Sequence, residues 1–157
     1  LATIMNNEFL HTALREKGGA YGGGARANSH CKTFDFYSYR DPRLGQTFND
    51  FERAMEWVSN ASFNKKQLEE ATLSLMSDID KPGSPSGEAF NEFYNLLHGR
   101  SLEERIQHRQ AILDVTLEDL ERVSRTYFKD VQGIKAAVTN KSKYETEKLE
   151  GFEIHTI

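Results

Sequence analysis

Arg15 and Tyr21 are the two residues of this chain whose types and spacing best suit chemistry. They sit six positions apart in "REKGGAYGGGA", where five glycines fall within seven positions, Gly18 to Gly24. Arginine is a permanent planar cation with several N–H donors, and tyrosine adds one directed hydroxyl. Together they could hold a carbonyl oxygen whose negative charge grows in a tetrahedral transition state. Gly18, Gly19, Gly22 and Gly23 would let the chain turn between them and let a substrate backbone approach closely. Residue types alone leave a plainer role open, in which Arg15 caps helix carbonyls and Tyr21 packs on a sheet.

Other chemistries for the glycines do not fit. A phosphate loop runs from a strand through Gly-Lys-Ser/Thr into a helix, whereas these glycines leave a helical pattern and enter an extended one. A dinucleotide fingerprint forced onto Gly22, Gly24 and Ala27 precedes "NSHCKTF" rather than a helix. His11, His30, His98, His108 and His155 include no pair three or four positions apart, so the histidine-rich zinc motifs are absent. His30 beside Cys31 is a weak lead, because neighbouring strand residues point to opposite faces. The histidines are expected to be surface or satisfied structural residues, and Cys31 a small half-buried one. With a single cysteine, no intramolecular disulfide is possible.

The elements that must position Arg15 and Tyr21 follow from periodicity. "LATIMNNEFLHTALREK" is helical and apolar on more than one face, with Arg15 and Lys17 in its last turn and Gly18 as the left-handed cap. Tyr21–His30 and Lys32–Arg40 read as two strands joined by few residues, hence antiparallel. The second has Phe34 and Phe36 on one face and Tyr37 and Tyr39 on the other, the pattern of a central strand. A helix follows, with Asp41 as N-cap, Pro42 in its first turn and a stripe of Leu44, Phe48, Phe51, Met55 and Val58.

Asn64 and Gln67 form a capping box for the next helix, whose stripe is Leu68, Ala71, Leu75 and Ile79. After the breaker "DKPGSPSG" come three shorter helices, at about 88–98, 101–113 and 116–127. Ser101 with Glu104 caps the second, and Thr116 with Asp119 caps the third. "GIKAAVT" alternates like a strand, and "EGFEIHTI" is expected to add a last short one.

This order predicts an α+β domain, with helices packed on one face of a mainly antiparallel sheet. A length of 157 residues suits one domain, and 38% apolar residues with 10 phenylalanines and 6 tyrosines can supply its core. A net charge of −4 argues against a general nucleic-acid binder, and no apolar run is long enough to span a membrane. The chain opens without methionine, already inside a helical pattern, which predicts a fragment truncated at its N-terminus.

"LHTALREKGGAYGGGA" with "TFDFYSYRDPRL" resembles the C-terminal half of presequence proteases, in the pitrilysin-like, inverted-motif zinc metallopeptidases. The resemblance continues through "LEEATLSLMSDIDKPGSPSG" and "RIQHRQAILDVTLEDLERVSRTYF". It implies that residues 1–157 form one zinc-free C-terminal domain. Zinc and a glutamate base would come from the N-terminal half of the same polypeptide, the expected partner. Arg15 and Tyr21 match an arginine and a tyrosine near the scissile bond of unstructured peptide substrates, which add to an enzyme edge as a β-strand. The fragment alone is expected to be inactive. The alternative is a non-catalytic peptide-binding or assembly subunit of the same fold. The resemblance is compatible with a bacterial cytoplasm, a mitochondrial matrix or a plastid stroma.

Overall fold

The computed structural model describes residues 1–28, 31–147 and 149–156. Among these the chain is helix-rich with a small two-stranded antiparallel sheet, an α+β composition. It divides into two compact units. One holds Ala2–Ala61 with Ser124–Ile157; the other is built on Ser62–Val123.

In the first unit, a short helix α1 (Ala2–Met5) widens into a π-helix over Asn6–Lys17. Met5, Leu10 and Leu14 are fully buried along it, five and then four residues apart, the spacing of a widened turn. Gly18 is not the left-handed residue that ends this helix. Its φ is −84°, and the chain reverses at Gly19, with φ +77°. The Ala20 N–H reaches back to the Leu14 carbonyl at 2.9 Å, spanning more residues than an α-helical cap does. The wider helix therefore moves the reversal one residue on. Gly18 serves a different need, since a Cβ there would overlap the Arg43 guanidinium and the Leu14 carbonyl.

Strand β1 (Gly22–Asn28) pairs antiparallel with β2 (Thr33–Tyr39), in register from Gly22 opposite Tyr39 to Asn28 opposite Thr33. Phe34 and Phe36 pack edge-on to one another, and they meet Phe128 at 4.8 Å and Phe51 at 5.5 Å. The other face carries Tyr37 and Tyr39, both exposed. β2 is therefore not central: among the described residues its one strand neighbour is β1.

Helix α2 (Gly45–Asn60) starts later than expected, and Asp41 does not cap it. The Asp41 carboxylate accepts instead from Ser38 Oγ, Thr47 Oγ1 and the Arg43 amide, at 2.7, 2.7 and 2.9 Å. The open N–H of Gly45 goes to Glu147 of α7 (Lys141–Glu147), at 2.6 Å, which also sets a carboxylate at the positive helix end. The buried line of α2 is Thr47, Asp50, Ala54 and Val58. The predicted Phe48, Phe51 and Met55 flank it half-buried.

Residues 134–139 form no strand, and Ile134 and Val138 are fully exposed. Residues 152–156 form none either. Alternation makes a segment able to pair, but a strand exists only where a neighbour supplies the ladder. Cys31 is exposed rather than half-buried.

In the second unit, α3 (Lys65–Asp80) begins at the complete Asn64–Gln67 capping box. α4 spans Pro85–Leu97, starting three residues earlier than expected because Ser84 caps it and Pro85 opens it. α5 (Leu102–Leu113) has the Ser101–Glu104 box. α6 (Leu117–Phe128) contributes residues to both units and is entered through Thr116 and Asp119. Of the predicted α3 stripe only Ala71 is buried, while Leu75 and Ile79 are exposed. No helix among the described residues is long and apolar enough to cross a membrane.

Candidate functional site

The π-helix sets its polar side chains over the start of β1. Asn6, His11 and Arg15 follow one another at the same five-then-four spacing as the buried row, and they line a cleft of about 520 Å³. Opposite them the cleft is bounded by Gly22, Gly23 and Tyr37. A Cβ on Gly22 would meet nothing within 4 Å, so the backbone there is bare and open. One on Gly23 would lie 2.8 Å from Leu14 Cδ1, so this glycine lets helix and strand close together.

Asn6 locks the two elements in register. Its Nδ2 donates to the Ala25 carbonyl at 2.9 Å, and its Oδ1 accepts from the Ala25 N–H at 2.6 Å. The side-chain amide thus satisfies both backbone groups of one strand residue, as a neighbouring strand would.

Arg15 is exposed at this cleft, and among the described residues its guanidinium has no hydrogen bond or ion pair. The capping role open from sequence is therefore not what its side chain does. Tyr21 directly precedes the open backbone of Gly22, but its ring is not part of the cleft lining. It lies edge-on to Tyr39 at 6.1 Å, 68% exposed, with the Arg40 guanidinium 5.6 Å from its centre. Its hydroxyl makes no hydrogen bond among the described residues. The structure thus brings Arg15 together with Gly22 and Gly23. Gly18 and Gly19 shape the turn behind them.

A charge cluster that sequence reasoning missed holds the other side of the π-helix. Arg43 Nη1 donates to Asp50 Oδ2 at 2.8 Å, its Nη2 reaches the Ala13 carbonyl at 3.5 Å, and its Nε lies 3.5 Å from Asp41 Oδ1. Asp50 also receives Arg53 and Gln46. Burial pushes the Asp41 carboxyl up, but the bonds from Ser38, Thr47 and the Arg43 amide, with the Arg43 charge, outweigh it and hold it below its ordinary value. The signal was present in "RDPR", where charges at 41 and 43 flank a proline beside a helix start.

His11, His98, His108 and His155 are all exposed. His11 lies 3.4 Å from Glu16, and His98 stacks on Tyr94. His30 lies outside the described residues. Among those described, no group of three or more His, Cys, Asp or Glu is placed to hold a metal.

The described residues thus define an α+β class of chain, with an arginine that has no partner among them beside bare strand backbone. Comparison with known proteins makes the class particular. The family model described as the PreP C-terminal domain matches residues 1–141, and the chain belongs to that family. It is similar to the mitochondrial presequence proteases of Xenopus laevis, 44% identical over 127 residues, and Yarrowia lipolytica, 38% identical over 146. These matches cover 81% and 93% of this chain, but 12% and 14% of the relatives. The presequence protease of Saccharomyces cerevisiae is 33% identical over 139 residues, 88% of this chain and 14% of its own. The chain thus spans about one-eighth of the length of the curated relatives it matches.

Proposed function

We propose that this chain is the substrate-facing C-terminal domain of a pitrilysin-like zinc metalloendopeptidase that degrades unstructured peptides of the targeting class. The support is a presequence-protease kinship over most of the chain, joined to one local observation. Arg15, a cation with no partner among the described residues, borders the cleft whose far wall is the open backbone of Gly22.

Among the described residues no group of three or more His, Cys, Asp or Glu is placed to hold a metal. The metal of the proposed enzyme would be held by the N-terminal half, the partner in the same polypeptide, and there supply an activated water. This domain would provide charge and shape. An extended peptide laid along the cleft would bring a carbonyl oxygen to Arg15, whose fixed positive charge stabilises negative charge developing there. Gly22 removes the side chain that would hold the peptide off. Tyr21, next to Gly22 but with its ring outside the cleft lining, would donate its hydroxyl to the bound peptide beyond that lining.

The test is cleavage of an unstructured peptide by the full-length polypeptide, with a folded protein as control. The expected result is peptide cleavage that a chelator abolishes, with the folded control untouched and the isolated 157 residues inactive. An unstructured peptide left intact by zinc-loaded full-length protein would overturn the reading.

A further inference from the structure

The backbone and the side chain of Arg40 both reach Tyr21. Arg40 takes a left-handed conformation, φ +48°, at the end of β2, a region that non-glycine residues seldom occupy. Its carbonyl accepts the Tyr21 N–H at 3.3 Å, which joins the loop before β1 to the chain leaving β2. Its guanidinium carbon lies 5.6 Å from the centre of the Tyr21 ring and 5.2 Å from that of Tyr39. Those two rings stand 77° apart, edge to face. Among the described residues the Arg40 guanidinium has no carboxylate partner, so its contacts there are the two aromatic rings.

Tyr21 is consequently held by its ring and its backbone while its hydroxyl stays unengaged among the described residues. That suits a group that must meet a ligand in a fixed orientation. We infer that Arg40 is a positioning residue for Tyr21: it clamps the ring against Tyr39 so that the phenol presents its hydroxyl to the bound peptide. The inference rests on the proposed function and deepens it. Arg40 acts through Tyr21 and need not touch substrate.

The experiment is a double-mutant cycle in the full-length enzyme, cleaving an unstructured peptide. Arg40→Ala, Arg40→Lys, Tyr21→Phe and the Arg40→Ala/Tyr21→Phe pair are compared for kcat, KM and unfolding midpoint. Tyr21→Phe is expected to lower kcat on the order of a hundredfold. Arg40→Ala should lower kcat about tenfold with KM little changed, because misplacing a reacting group weakens the transition state more than binding. Arg40→Lys should recover part of that loss by restoring a cation over the rings. The double variant should be no slower than Tyr21→Phe alone. Losses that multiply, or wild-type kcat in Arg40→Ala beside a slowed Tyr21→Phe, would overturn the clamp and leave the proposed function standing. Wild-type kcat in Tyr21→Phe would overturn the clamp together with the part given to the Tyr21 hydroxyl, and would leave the peptidase reading and Arg15 standing. If Arg40→Ala unfolds early, Arg40→Lys and its pair with Tyr21→Phe complete the cycle, with the same outcomes.

Discussion

Arg43 Nη1 lies 2.8 Å from Asp50 Oδ2, and the same guanidinium closes over Gly18, where no side chain fits. This pair fixes the end of the π-helix that carries Arg15. Asp50 is 3% exposed and would be left without its shortest ion pair if Arg43 were removed. Arg43→Met should therefore cost about 1–3 kcal/mol, less than the full penalty for stranding a buried charge, because Arg53 and Gln46 still reach Asp50. Denaturant unfolding of the full-length protein checks it; an unchanged first transition would show that the pair holds nothing.

The glycines divide by what surrounds them. Gly18→Ala should destabilise by about 1–3 kcal/mol, since its Cβ would overlap the Leu14 carbonyl as well as Arg43. Gly22→Ala meets nothing within 4 Å and should stay within about 0.5 kcal/mol. It should instead raise KM for peptide, because it puts a methyl group on the cleft wall. Equal stability effects at the two positions would contradict this division.

Asn6→Ala should free both backbone groups of Ala25 and cost about 1–3 kcal/mol, with faster amide exchange at Ala25. Exchange at Ala25 as slow as in the parent would mean that another group holds β1 to the π-helix.

Asp41 sets a pH dependence with a definite sign. Its carboxyl is held below its ordinary value in the folded chain, so the folded state binds its proton less readily than the unfolded chain does. The stabilisation is complete above the unfolded pKa, near 4, and is lost as pH falls through the lowered folded value. Asp41→Asn should be less stable than the parent at neutral pH and should converge with it in acid. A gap between the two that widens on acidification would reverse the sign.

Local rules were readable where partners are near in sequence. The Asn64–Gln67 and Ser101–Glu104 boxes form as their spacing predicts, because each bond joins residues three apart. The antiparallel pairing of β1 and β2 was legible from their short connection. Features set by distant groups were not. The first amide of α2 is met by Glu147, 102 positions from Gly45, while Asp41 accepts from Ser38 and Thr47. The π-helix escaped because a widened turn keeps an apolar pattern that an α-helix also satisfies. At the site, Arg15 and the glycines stood out by type. Asn6, Arg40 and Arg43 matter through where they reach, which spacing does not encode.

The central claim is that Arg15 meets the peptide bond being cleaved, and one measurement tests it most directly. Single-turnover cleavage of an unstructured peptide by full-length Arg15→Ala should be slower by on the order of a hundredfold. Zinc content and unfolding midpoint should match the parent, because the Arg15 side chain makes no hydrogen bond or ion pair among the described residues. Parental turnover in a folded, zinc-replete Arg15→Ala enzyme would contradict the account.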